Sequence, residues 1–341
     1  MGKEKNYFKE KKIWNKIKKI LVIILVVSIV AVIIFGFIGQ DNKTIKVSGA
    51  FALYPMMNMW VEEYEEEHSD IRIDVSAGGA GKGMSDAING IVDMGMVSRD
   101  IYQQEIDQGI FWISVAKDAV VATINSNNPV VDIILKRGIT KQEFIDIFIT
   151  RNIKTWGELV NDPSITNNIK VYSRSDACGA AKTWAKYLGN YSQDDLQNNA
   201  DSAIDGDPNL AAIIQGDVNG IGFNNINFVY DADSKKPYDS IIPVPIDLNE
   251  NGTIDDFENF YETRDEIVDS IANNVYPSPP ARDLHLVTKN SFTGIVKDFV
   301  YWILTDGQKY VTSSGYIKLS QDKIDQQLQY LEQGSRPETS S

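Results

Sequence analysis

Three groups of residues have types and spacings that could do chemistry. The first is Asp247-Leu248-Asn249-Glu250-Asn251-Gly252-Thr253-Ile254-Asp255-Asp256-Phe257-Glu258, which meets every required position of the calcium loop D-x-[DN]-x-[DN]-G-x5-E. Hard oxygen ligands would come from Asp247, Asn249, Asn251, the Thr253 carbonyl, Asp255 and bidentate Glu258, with Gly252 at the sharp turn. The expected ion is Ca2+, since Mg2+ takes fewer protein ligands. The segment before the loop, Ile241–Ile246, carries Pro243 and Pro245 and reads as extended, whereas Phe257–Asn273 reads as helical. The expectation is an isolated calcium loop that pins an insertion, not a paired sensor.

The second group is Ala77-Gly78-Gly79-Ala80-Gly81-Lys82-Gly83-Met84. A nucleotide-binding loop of the form G-x-x-x-x-G-K-[ST] would place its first glycine at Ser76 and its magnesium-binding hydroxyl at Gly83, so both ends fail. What such a turn can still offer is a nest of backbone N–H groups for an anion. The third group pairs Ser98-Arg99 with Arg174-Ser175-Asp176-Ala177-Cys178-Gly179-Ala180. A guanidinium can hold an oxyanion through two parallel hydrogen bonds. Cys178 is the chain's single cysteine, so no internal disulfide forms. Neither His68 nor His285, the two histidines, stands in a motif that would activate it. The thiol reads as small, buried and inert, the protein as a non-enzyme, and no organic cofactor is expected.

These residues sit where strands meet helices. Strand-like Ile45–Val47, Ile71–Val75, Ala119–Asn125, Ile169–Tyr172 and Gly220–Phe223 alternate with helix-like Pro55–Glu67, Gly83–Gly90, Lys141–Ile149 and Ala180–Leu188, the pattern of an α/β protein. Four turns follow strands: Ser48–Pro55, containing Phe51 and Ala52; Ala77–Met84, containing Ala80 and Gly81; Val92–Asp100; and Tyr172–Ala180. A helix start leaves backbone N–H groups free and carries partial positive charge, so converging turns of this kind would form an oxyanion receptor.

The first 39 residues differ from the rest. Eight lysines between Lys3 and Lys19 precede an apolar run from Ile20 to Ile38, close to the roughly 20 residues that cross a bilayer as a helix. A cleaved secretory signal would end in a small-residue cleavage site, and Phe35-Gly36-Phe37-Ile38-Gly39-Gln40 has none. The expectation is a cytoplasmic basic segment (1–19) and an uncleaved transmembrane anchor (20–38), which puts the large remainder outside the membrane. Without the eight lysines and two glutamates of that segment, the 33 basic and 47 acidic residues become 25 and 45, about −20. Nucleic acid is excluded as a partner of such a surface. An anion must be held by local dipoles and a few arginines against the overall field.

Taken in order, "GAFALYPMMNMW", "VSAGGAGKGM", "GIVDMGMVSRDI", "KDAVVATINSNNPV", "FITRNIKTWGELV" and "YSRSDACGAAKTWAKYL" resemble the Pst-type phosphate-binding proteins, substrate-binding components of ABC importers, over roughly residues 44–320. The resemblance implies a two-lobed periplasmic-binding-protein-like fold of type II, with a hinged cleft that closes on an oxyanion. Lobe 1 would take 44–120 and 283–325, lobe 2 would take 121–282 with the calcium loop, and 326–341 would be a polar tail, disordered from Gln333. It implies capture of phosphate by a monomer that delivers it to permease subunits. Position by position, the family's Gly-Ser-Thr first turn holds Ala50 and Phe51 at the hydroxyl positions, and its glycine-turn serine is Ala80. Its arginine is kept as Arg174, the Ser-Gly-Thr after it reads Cys178-Gly179-Ala180, and its acidic proton acceptor falls at Ser98 beside Arg99. The backbone donors survive and nearly every hydroxyl is gone, which leaves the choice among oxyanions open. The competing reading is an anion-responsive sensor or interaction domain on the same fold, uncoupled from transport.

Overall fold

The computed structural model describes residues 43–336. The basic segment and the anchor expected at 1–38 lie outside the described residues. Among the described residues, no helix is long and apolar enough to cross a membrane.

The chain forms a mixed sheet from nine strands: β1 (Lys43–Gly49), β2 (Ile71–Ala77), β3 (Met94–Val97), β4 (Ile110–Ile124), β5 (Lys170–Arg174), β6 (Ser202–Ile204), β7 (Gly220–Asn225), β8 (Ile242–Pro243) and β9 (Ala281–Lys289). Their order is β2-β1-β3-β9-β4-β7-β5-β6, with β8 on β4. β1 and β3 are parallel, as are β7, β5 and β6, while β9 runs antiparallel to β3 and β4. Helices cover the sheet, and two large hydrophobic cores result among the described residues, with a small third cluster of Ala211, Ile214 and Ile241. One large core is built from Ile45 to Ala116 and Leu284 to Leu331, the other from Ala119 to Ala281 with Ile317.

β4 joins the two. Its sequence IFWISVAKDAVVATI is almost continuously apolar, as expected of a strand covered on both faces. Residues Ile110–Ala119 pair with β9, and Val120–Ile124 pair with β7. A register shift between Ser114 and Ala116 bends the strand just before it leaves the first core. The strand expected at Ala119–Asn125 is therefore the far end of a much longer one.

The helices that carry the turns begin close to where their sequences place them. Helix Tyr54–Glu67 has Pro55 in its first turn and buries Met56, Met57, Trp60 and Tyr64. Helix Ala80–Ile88 follows Gly79, whose φ of +89° suits glycine, and helix Gly179–Gly189 follows Cys178. Two expectations are corrected. The exit from the calcium loop is not helical from Phe257: the helix is Arg264–Ala272, started by Thr263, whose hydroxyl caps Glu266 N–H while Glu266 returns the bond. The segment from 326 is not a loose tail as far as Arg336. Ile324, Leu328 and Leu331 recur at helical spacing in helix Gln321–Gln333, and Ile324 and Leu331 are buried. Arg336 then stacks on Trp112 at 3.8 Å and donates to the Trp112 carbonyl.

Candidate functional site

The turns expected to converge do meet, across the two cores. Gly81 N–H donates to the Ala177 carbonyl at 2.8 Å. A Cβ added at Gly81 would come within 2.6 Å of the Ala177 Cβ, one at Gly79 within 2.9 Å of Asp176 Oδ2, and one at Gly179 within 2.2 Å of Ser98 O and Oγ. Glycine at 179 is thus demanded by the opposite core's backbone, and glycine at 81 by the Ala177 methyl. Phe51, half-buried, lays its ring 5.7 Å from the Arg174 guanidinium and against Gly206.

Arg174 is the centre of this contact and is fully buried. Its Nε and Nη2 donate to the two oxygens of Asp176 at 2.8 Å each, and its Nη1 donates to Asp207 Oδ2 at 2.5 Å. Burial works against its charge, but Asp207, with Asp176 beside it, outweighs burial and raises its pKa well above the ordinary arginine value. Three of the five guanidinium N–H groups are committed in this way, and two carboxylates share one cation. Asp176 Oδ1 also accepts Gly206 N–H at 3.1 Å. Asp207 Oδ1 accepts Asn225 N–H at 3.2 Å. Asn225 Oδ1 in turn accepts from Arg282, which pairs with Asp118 on β4 and donates to Thr183. A buried polar chain therefore runs from the turns to the paired strands β4 and β9. Burial raises the Asp118 pKa despite Arg282.

The other residues singled out in the sequence are placed as follows. Ala80 is buried at the head of its helix, and Gly81 spends its N–H on Ala177. Gly78 and Gly79 N–H both donate to the Gly49 carbonyl, so the glycine-rich nest is largely closed on the protein itself. Lys82 reaches Asp86, which also accepts from Ser48 at 2.7 Å, a use unrelated to nucleotide. Ala52 is buried and its carbonyl accepts the Tyr316 hydroxyl at 2.8 Å. Cys178 caps its helix, with Ala181 N–H donating to Sγ at 3.3 Å, and burial pushes its thiol up to about 12, which leaves it protonated and inert. Gly179 and Ala180 supply N–H groups of the kind a helix start leaves open.

Ser98 is buried against Gly179. Arg99 is engaged elsewhere. Its Nη1 and Nη2 grip Glu105 at 2.9 and 2.6 Å, not Asp100, whose carbonyl it also meets. It lines a cavity of about 830 Å³ with Lys182, Arg282 and His285, and Arg174 is not part of that wall. The structure thus separates the two arginines read as a pair. Asp207 was missed by reasoning from the sequence, although Gly206-Asp207-Pro208 carries the same signal as the other turns: a glycine, then proline in a helix's first turn.

In the calcium-loop segment Gly252 takes a φ of +81° with open space around it, as a sharp turn requires. Asp247 and Glu258 are both buried. Asp247 accepts N–H groups of Asn251 and Gly252 at 3.2 and 2.8 Å; Glu258 accepts those of Leu248, Asn249 and Asp255 at 2.7, 3.1 and 3.0 Å. The Asn249 and Asn251 amides both donate to Asp255. Among the described residues, no group of three or more His, Cys, Asp or Glu side chains converges as a metal site.

Known proteins are similar in fold and, more distantly, in sequence. The profile of the PBP superfamily domain matches residues 38–307. The phosphate-binding protein PstS of Methanocaldococcus jannaschii is 23% identical over 90% of this chain and 94% of its own length, and that of Bacillus subtilis is 27% identical over 84% of each. A putative phosphate ABC transporter substrate-binding protein from Clostridium perfringens, solved with bound phosphate, superposes with a TM-score of 0.65 at 24% identity over 82% of this chain and 100% of that one. An ABC-type phosphate transport receptor from Vibrio cholerae does so with a TM-score of 0.56 at 18% identity, over 81% and 100%. The chain belongs to the PBP superfamily, and its relatives include the Pst-type phosphate-binding proteins that its turns resemble.

Proposed function

We propose that this protein is an extracytoplasmic solute-binding protein that captures an inorganic oxyanion, phosphate first, for an ABC importer. The observation that carries the reading is Arg174, wholly buried where turns from both cores meet, with two N–H groups left beyond those given to Asp176 and Asp207. The relatives named for phosphate binding support the choice of ligand. In this reading the two cores are the lobes of a type II binding protein, 44–120 with 283–325 against 121–282, hinged on β4 and β9. The contact between Gly81 and Ala177 belongs to the closed form. Residues 20–38 anchor the monomer in the membrane as a single span, and the permease takes the released anion. Isothermal titration of the full chain in detergent with phosphate, sulfate, molybdate and tungstate tests this. Absence of heat with all four, at protein concentrations that detect micromolar binding, refutes it.

One set of observations favours a second reading, a sensor or interaction domain on this fold. Phe51, Ala80, Cys178 and Ala180 stand where the resembled family would carry hydroxyl donors, and the Gly81 N–H is already spent. Binding in the micromolar range without exchange onto a permease would favour it.

Ca2+ on Asp247, Asn249, Asn251, the Thr253 carbonyl, Asp255 and Glu258 is part of the same proposal. The supporting feature is the pair of buried carboxylates, Asp247 and Glu258, in a twelve-residue loop of the right sequence. A ligand that binds only the native state raises stability, so a melting temperature indifferent to calcium and chelator refutes it.

A further inference from the structure

A second cavity, of about 480 Å³, opens between Pro55 and Ser314, which come from elements of the first core, and Pro208, Phe228, Tyr238 and Arg264 of the other side. It is distinct from the turns around Arg174, which is not among its lining residues. Arg264 heads helix Arg264–Ala272 and is 1% exposed. Its Nη2 donates to the Ser313 carbonyl at 3.0 Å, and its Nε–H has no acceptor. On the same wall, Asn227 Oδ1 is buried and has no donor.

Arg264 differs in this from the other buried arginines. Arg99 pairs with Glu105, Arg174 with Asp176 and Asp207, and Arg282 with Asp118. Arg264 makes no ion pair among the described residues, and burial lowers its pKa, opposed first by Asp265. An uncompensated buried charge is costly unless something pairs with it. The Gly315 backbone packs on the guanidinium, where any Cβ would fall 2.5 Å from Nε, so the group is held in place. The rest of the wall is mostly apolar with a few polar groups, which is the make-up of a small-molecule pocket, and its volume falls in the usual range for one.

We infer that this cavity binds a small organic monocarboxylate, with the carboxylate on Arg264 and an apolar body against Pro55, Pro208, Phe228 and Tyr238. Among the residues that line this cavity Arg264 is the one charged side chain, so one guanidinium balances one negative charge, which favours a carboxylate over an inorganic dianion. Because the cavity is walled from both cores, such a ligand also spans them. Lys235 and Arg264 already hold the Ser313 carbonyl across the same boundary.

Phenylacetate is a suitable probe, with phenylacetamide as its neutral counterpart. Titrated into the full chain in detergent, phenylacetate gives saturable heat and phenylacetamide gives none. Affinity falls at least about tenfold in R264Q, as loss of a charge-assisted pair requires. It falls several-fold in Y238A, which removes an exposed wall and leaves the core intact. Saturating phosphate does not displace the probe, so failure of this site and failure of the phosphate reading are told apart. The inference is overturned by no saturable heat up to about 10 mM, by phenylacetamide binding equally, by R264Q binding like the parent, or by displacement with phosphate. If R264Q does not fold, Y238A decides: unchanged affinity overturns the inference.

Discussion

Asp207 sets how strongly the turns can hold an anion, and Asp207→Asn tests this directly. Arg174 gives Nη1 to Asp207 at 2.5 Å and both Nε and Nη2 to Asp176 at 2.8 Å, so the buried group carries a net −1 before any ligand arrives. An oxyanion on the remaining guanidinium N–H groups would share the planar fork with the Asp207 carboxylate, at a separation on the order of 5 Å. At an effective dielectric of about 20, each unit of ligand charge is then opposed by about 3 kcal/mol, a factor of about 100 in affinity. Asparagine removes this repulsion, keeps an oxygen acceptor for Arg174 and leaves the Asp176 pair intact. Isothermal titration of the full chain at pH 7 and low salt should therefore show singly charged phosphate binding about 100-fold, and doubly charged sulfate about 10,000-fold, more tightly in the variant. Sulfate carries no proton at this pH, so it isolates repulsion from proton acceptance. Unchanged or weaker binding of both anions would refute the reasoning. Weaker phosphate with tighter sulfate would show instead that Asp207 accepts a proton from phosphate.

Three further outcomes follow from the same geometry. Arg174→Gln leaves Asp176 and Asp207 buried without a cation and should cost about 3–5 kcal/mol in urea unfolding; a loss below about 1 kcal/mol would mean the carboxylates reach water in the folded state. Phe51→Thr with Ala80→Ser returns two hydroxyls, each worth about 1.5–3 kcal/mol to a charged ligand, so phosphate should bind at least about 100-fold more tightly, and no gain would place the anion elsewhere. His285 is buried, with Ser114 Oγ 3.1 Å from Nδ1, and burial lowers its pKa from 6.5 to about 4. Its folded value lies below the unfolded one, so its contribution is complete above pH 6.5 and is lost as pH falls towards 4, about 3 kcal/mol in all. His285→Asn should flatten stability across that window, and a slope equal to the parent's would count against the burial argument.

The strand-to-helix turns were readable because their signals are local. Pro55 in a first helical turn, Gly79 before a helix and the run from Arg174 to Ala180 each specify a helix start within a few residues. The length of β4 was less readable, since an unbroken apolar run has no period that separates strand from buried helix. Helix Gln321–Gln333 was overlooked because its polar face dominates the composition, although Ile324, Leu328 and Leu331 keep helical spacing.

What local signals could not carry is the pairing of charges and donors across the fold. Arg174 meets Asp207 across 33 residues of chain, and Gly81 meets Ala177 across 96. Arg99, next to Asp100 in sequence, turns instead to Glu105. A helix start shows that N–H groups are open, and the packed turn decides which stay open. Here the opposite core takes the Gly81 N–H and two carboxylates take most of Arg174. Any anion that binds at these turns must therefore displace contacts the protein already makes with itself, and its affinity measures the difference between the two sets.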